Sequence, residues 1–292
     1  MDWTSRRITA LLENALNEDR ATHDATTYAV IAPVQRAAAT IIAKEECVLS
    51  GVGCVQRIFE VFAALDGGVI GHPEVTTHPE IFDGVRLRKG QTVVVVQHNA
   101  RVLLSCERVI LNLLQRMSGV ATQTRRYVDA VAGTQARILD TRKTVPGLRA
   151  LDKYAVRCGG GQNHRLDLSD GILIKNNHID LVGGVERALE LALLNRRGEQ
   201  PIEVEVRNMP ELENALCCGA EAILLDNYSV EDTRMAVERI RAHTRHVKIE
   251  SSGGITLQNV RQYAEAGADF ISIGALTHSA RAVDLSMRIH PA

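Results

Sequence analysis

A chain of 292 residues is too long for one small module and long enough for a barrel or two modest domains. Its 45% hydrophobic and 24% charged residues exclude long disordered stretches, and only 3% aromatics leave the core to Val, Ile, Leu and Ala. A net charge of −1 with scattered basic residues argues against nucleic acid or a membrane surface as partner, and no apolar run approaches the roughly 18 residues of a membrane helix.

Residues 1–20 read as an amphipathic helix, with Ile8, Leu11, Leu12, Ala15 and Leu16 on one stripe and no apolar block of a secretory signal. Short β-rich runs follow at 39–43, 47–52, 69–70 and 92–96, punctuated by glycines, with a helix expected at 57–65. GHPEVTTHPE (71–80) reads as a surface turn with His72 and His78 in solvent. This part is expected to form an α+β sandwich domain over 1–112, against which a C-terminal helix at 278–292 packs. The six cysteines form no C-x-x-C pair, which favours free thiols in a reducing cytoplasm over a zinc site.

A strong helical pattern covers 107–133, where Gly119 suggests a close helix contact or a bend. A rhythm then begins, with strands at 136–141, 171–175, 201–206, 222–226, 247–251 and 270–274. Helices are expected at 181–196, 209–217, 230–244 and 257–266 between them. Alternating strands and helices imply a parallel sheet covered by helices. The fold class is therefore α/β: the sandwich domain, then an incomplete, open α/β barrel of about six parallel strands over 113–277. No G-x-G-x-x-G follows the first strand, which disfavours a dinucleotide fold.

Polar residues gather at the C-terminal strand ends, where barrels place their active sites. These are Thr141, Arg142 and Lys143, then Lys175, Glu203 with Glu205, Asp226, and the run Ser251-Ser252-Gly253-Gly254, with Gly274 ending the last strand. Ser252, Gly253, Gly254 and Gly274 suit a phosphate, because glycine admits close approach to backbone N–H groups. His278, just beyond, joins them as a candidate; His243 and His246 read as solvated. Arg142, Lys143, Arg149, Lys153, Arg157, His164, Arg165 and Lys175 flank a Gly159–Gly161 loop and imply a ligand with several negative groups. Glu205 and Asp226 suit Mg2+ arriving with a polyphosphate, or a developing sugar cation; charge balance for Lys143 and Lys175 is the plain alternative.

Six segments carry a family resemblance: ERVILNLLQRMSGVAT (107–122), DTRKTVPGLRALDKYAVRCGGGQNHR (140–165), LIKNNHI (173–179), ILLDN (223–227), ESSGGI (250–255) and ISIGALTHS (271–279). Together they resemble quinolinate phosphoribosyltransferases. The resemblance implies conversion of quinolinate and phosphoribosyl pyrophosphate to nicotinate mononucleotide, pyrophosphate and carbon dioxide with Mg2+, in NAD biosynthesis. It further implies quinolinate carboxylates on Arg142, His164, Arg165 and Lys175, with Lys143 and Lys175 near the phosphoribosyl donor. Glu205 and Asp226 would lie by the ribose and its Mg2+, and Ser252, Gly253 and Gly274 around the 5-phosphate. Arg108 would complete the neighbouring subunit's site in a homodimer. A paralogous transferase of this fold with a molybdenum-associated substrate and a non-catalytic phosphate-ligand sensor are the alternatives, the latter disfavoured by the paired acids.

Overall fold

The computed structural model describes residues 1–67 and 71–292, so the strand expected at 69–70 lies outside the described residues. By their contacts the residues form two units. One comprises Met1–Gln123, Val145–Gly160 and Ala280–Ala292; the other comprises Thr124–Thr144 and Gly161–Ser279.

The first unit holds α1 (Arg6–Glu18), α2 (Ala25–Val30), β1 (Arg36–Ala43), β2 (Cys47–Val48), α3 (Gly53–Leu65), β3 (Glu74–Thr76), β4 (Arg86–Leu87) and β5 (Thr92–Asn99). Its sheet runs β12-β1-β5-β3, all antiparallel, where β12 is Leu285–Pro291; β2 and β4 form a separate pair. In β1 the small and branched residues Ala37, Ala39, Ile41 and Ala43 face the core in strict alternation. α1 buries Ile8, Leu12 and Leu16, the stripe its 3.6-residue period sets out.

Two expectations are corrected here. The C-terminal segment is a strand, not a helix, and its Leu285, Met287 and Ile289 pair with Ala43, Ile41 and Ala39 of β1. That alternation has period two, and β1 offered an unpaired edge. The presumed turn at 71–80 contains β3, whose Val75 pairs with Val96 of β5, although His72 and His78 are exposed as expected.

The long helix α4 runs from Ala100 to Ala130, seven residues further upstream than expected, and the division between units falls inside it. The expected domain boundary at 112 would cut this helix mid-way. Gly119 marks a close contact and not a bend: a Cβ there would overlap the Arg281 carbonyl. α5 (Arg149–Cys158) was not foreseen; it belongs to the first unit and buries Lys153 and Asp152, with Arg116 forking Asp152 at 3.0 and 2.9 Å.

In the second unit, β6 (Arg137–Leu139), β7 (Ile172–Ile174), β8 (Ile202–Val206), β9 (Ala222–Asp226), β10 (Lys248–Ser252) and β11 (Phe270–Ser272) form one parallel sheet. Its order β6-β11-β10-β9-β8-β7 is the cyclic order of a barrel with the seam between β6 and β7 left open. At that seam a single parallel bridge joins Leu139 to Gln162. The helices are α6 (Asn176–Val182), α7 (Val185–Asn195), α8 (Met209–Cys217), α9 (Val230–His243), α10 (Val260–Glu265) and α11 (Ala275–His278). The single helix expected at 181–196 is two, because Gly183 and Gly184 take φ of 92° and 144° and end the first. No helix among the described residues is long and apolar enough to cross a membrane.

Candidate active site

At the C-terminal strand ends of the barrel unit, two acids and two lysines share one electric field. Lys175 Nζ, just past β7, lies 3.3 Å from Glu205 Oε2 in β8. The Glu205 side chain is buried, and its other oxygen faces the Asn176 N–H at 3.4 Å. Asp226 closes β9. Its burial and the neighbouring Glu205 charge push its carboxyl above the usual carboxylate range, against the Asn227 hydrogen bond and the charges of Lys175 and Lys143. Lys143 is exposed; its N–H donates to Thr141 Oγ1, and its carbonyl accepts from Thr277 Oγ1, each at 3.0 Å.

Beside them lies the glycine loop. β10 runs into Gly253 and Gly254, with φ of 93° and 63°, where a side chain would be strained. Ser272 Oγ donates to Ser252 Oγ at 2.9 Å, and the Ser252 carbonyl accepts the Asn227 N–H at 2.9 Å. At Gly274 a Cβ would come within 3.0 Å of Lys143 Cδ and 3.1 Å of the His278 ring. Gly274, Lys143 and His278 thus border a common space, with His278 Nδ1 turned 2.6 Å from Ser279 Oγ.

The remaining cations lie at the seam. Arg165 is pushed below its usual value, first by burial and then by the charge of Arg142, so each positive charge bears on the other. Arg142 Nε is buried and has no hydrogen-bond partner among the described residues. A buried donor without an acceptor is costly, and an anion would satisfy it. His164 Nε2 lies 3.0 Å from Glu203 Oε2 and 3.4 Å from Glu250 Oε2, while Nδ1 receives the Arg165 N–H at 2.8 Å.

Burial disfavours charge on the His164 ring, yet the bonds and charges of Glu203 and Glu250 outweigh it and push the pKa up to about 10. Burial and the Glu250 charge meanwhile raise the Glu203 carboxyl. An imidazolium between two carboxylates and a neutral imidazole beside a carboxyl–carboxylate pair hold the same number of protons. The Arg165 N–H aimed at Nδ1 selects the second arrangement, because a protonated Nδ1 would face it donor to donor.

The model of the quinolinate phosphoribosyl transferase N-terminal domain matches residues 24–118, and that of the C-terminal domain matches residues 120–288. The chain belongs to the quinolinate phosphoribosyltransferase family. It is 45% identical over 279 residues to the nicotinate-nucleotide pyrophosphorylase [carboxylating] of Mycobacterium leprae, covering 94% of this chain and 95% of that one. The probable enzyme of the same name from Bacillus subtilis is 39% identical, with 97% and 93% covered. The crystal structure of NadC from Streptococcus pyogenes superposes with a TM-score of 0.92 at 38% identity, covering 100% and 99%.

Within this quinolinate phosphoribosyltransferase-family chain, the expected site residues divide. Lys143, Lys175, Glu205, Asp226, Ser252, Gly253, Gly254, Gly274 and His278 flank the strand ends, and the Arg142 charge bears on Arg165 at the seam. His164 has both ring nitrogens engaged within the protein, Nε2 with Glu203 and Nδ1 with the Arg165 N–H. Glu203 is not at the mouth: it pairs with Ala222, the first residue of β9. It lines a cavity of about 320 Å³ with His164, Arg165, Lys248 and Phe270, two of which open their strands. Arg149, Lys153 and Arg157 fall on α5 in the other unit, where Arg157 lies 5.5 Å over the Tyr154 ring. Sequence reasoning missed Glu250 and the fully buried Asp140, which accepts the His164 N–H at 2.9 Å and Asn163 Nδ2 at 2.6 Å. Nothing in the sequence marked them: β10 also carries Lys248 and two serines, and Asp140 follows β6, which opens on Arg137.

Proposed function

We propose that this chain transfers the phosphoribosyl group of phosphoribosyl pyrophosphate to quinolinate with decarboxylation, as a step of NAD biosynthesis. The observation that carries the reading is the buried, unpartnered Arg142 Nε, whose charge bears on Arg165, in a barrel unit that carries Glu205 and Asp226 toward the C-terminal ends of neighbouring strands. Arg142, Arg165 and Lys175 hold the quinolinate carboxylates and aim the pyridine nitrogen at the anomeric carbon. Ser252, Gly253, Gly254 and Gly274 receive the 5-phosphate through backbone N–H groups, with Thr141 and His278 at the edge.

The nitrogen lone pair forms the new bond to the anomeric carbon as the bond to pyrophosphate oxygen breaks. Lys143 and Lys175 offset the charge on the departing pyrophosphate, and Glu205 and Asp226 stabilise positive charge on the ribose. The pyridinium nitrogen then accepts the electron pair of the carbon–carboxylate bond, carbon dioxide leaves, and solvent supplies a proton to the ring carbon. Glu205 and Asp226 also fit Mg2+ carried by the donor. Their oxygens are hard ligands, carried on paired neighbouring strands and close enough for the Glu205 charge to bear on Asp226. That ion supplies charge neutralisation for the pyrophosphate.

The working form is a homodimer in which Arg108 serves the opposite subunit's site. Arg108 is exposed on α4 and makes no hydrogen bond or ion pair among the described residues. The cytoplasm suits the six free cysteines, of which Cys47 is pushed up to about 11 by burial and the Glu45 charge. The test is stoichiometric release of pyrophosphate and carbon dioxide when purified protein meets quinolinate, phosphoribosyl pyrophosphate and Mg2+. Release with nicotinate equal to that with quinolinate, or no release at all, overturns the reading.

A further inference from the structure

Three ionisable side chains, Glu250 buried and His164 and Glu203 part-buried, take no part in the steps above. Glu203 of β8 and Glu250 of β10 converge on the His164 Nε2, 3.0 and 3.4 Å away. Glu250 is 3% exposed, and its second oxygen has no partner among the described residues. Burying two carboxylates costs more than packing apolar groups of the same volume, so stability does not explain the set. What the set holds is informative. The ring's other nitrogen takes the Arg165 N–H at 2.8 Å, and the His164 N–H is fixed on Asp140 at 2.9 Å.

We propose that His164, braced by Glu203 and Glu250, is a positioning residue that sets the backbone of Arg165 and so aims its guanidinium at substrate. The proposal rests on the phosphoribosyl-transfer reading and adds to it. With both nitrogens engaged, His164 has no ring atom left for a quinolinate carboxylate. Arg165 has few other anchors: its Nη1 donates to the Gly171 carbonyl at 3.1 Å, the Arg142 charge repels it and the Glu203 charge attracts it. A two-bond fork on a carboxylate demands placement within about 0.5 Å, which a seam segment held by one bridge does not ensure. The brace anchors that segment to two strands of the sheet.

The same three side chains have ligand atoms within 4.8 Å of one another, the spacing of a metal site. The Nδ1 contact argues otherwise, because it leaves the ring proton on Nε2, directed at the carboxylates.

A double-mutant cycle on the intact enzyme decides the matter. Glu250→Leu should raise the quinolinate KM about tenfold or more while the phosphoribosyl pyrophosphate KM stays within about twofold. Glu250→Gln, which keeps an acceptor for Nε2–H, should recover most of the loss. In a His164→Ala background, Glu250→Leu should add nothing further. Independent multiplying effects, or equal rises in both KM values, overturn the positioning role while wild-type turnover leaves the transferase reading intact. A wild type that releases no pyrophosphate overturns both. A stoichiometric divalent metal retained by wild type and lost in Glu250→Gln overturns it in favour of a metal site. Should Glu250→Leu not fold, the same cycle through Glu250→Met, which keeps the side-chain length, tests the brace.

Discussion

The side-chain oxygen of Asn227 fills the space that a Cβ on Gly253 would need. Asn227 itself takes a left-handed φ of 55°, and its N–H is held by the Ser252 carbonyl at 2.9 Å. The turn after β9 and the loop after β10 are therefore fitted to each other. Gly253→Ala has to displace Asn227 and strain its own backbone, at a cost of about 1–3 kcal/mol. The expected result is a raised KM for phosphoribosyl pyrophosphate with quinolinate affinity little changed, read by steady-state kinetics and calorimetry.

Asp226 should trade stability for activity. Its folded-state pKa is raised by burial and Glu205. A carboxyl so raised contributes stability below its unfolded pKa, and that contribution is lost as pH climbs through the folded value. At neutral pH the ionised side chain therefore destabilises the fold. Asp226→Asn should raise Tm at pH 7, with the difference from wild type vanishing below about pH 4. Turnover should fall on the order of a hundredfold or more, as for other lost electrostatic stabilisers. A lower Tm at pH 7 refutes the argument.

Arg142→Ala and Arg165→Ala should weaken quinolinate binding by about 1.5–3 kcal/mol each, the range for a charge-assisted bond. Phosphoribosyl pyrophosphate should still bind. Unchanged quinolinate affinity in both variants, measured by calorimetry, removes them from the carboxylate site.

Mixed dimers test Arg108. An Arg108→Ala chain and an Arg142→Ala chain, each nearly inactive, are combined and mixed dimers confirmed by native mass spectrometry. With shared sites one pocket carries both defects and the other none, so activity should return to about half per dimer. No rescue shows that each subunit uses its own Arg108.

Gly119→Ala tests packing in the first unit. Alanine favours helix by about 1 kcal/mol, but its Cβ would overlap the Arg281 backbone carbonyl, which no rotamer can relieve. Net destabilisation of about 1–3 kcal/mol by urea unfolding is expected.

The sequence by itself determined the parallel strands, because runs such as AILLD and FISIG are apolar, short and spaced by helical patterns. It also determined the ring of acids, lysines and glycines at their C-terminal ends, since side chains there are set by strand position alone. Gly119 was legible as a close contact or a bend, because glycine within a long helix carries a local cost, and only the Arg281 carbonyl against it decided for the contact. Only the tertiary structure decided the rest. The final strand was hidden because β12 is a strand by virtue of pairing with β1, some 240 residues away in sequence. Glu203 and Glu205 share a face of β8 and read alike, yet depth separates them, one toward the mouth with Lys175 and the other inward with His164. His164 looked like a free cation because its partners come from two other strands. Periodicity reports which way a side chain points; what it meets depends on segments that the chain brings together only on folding.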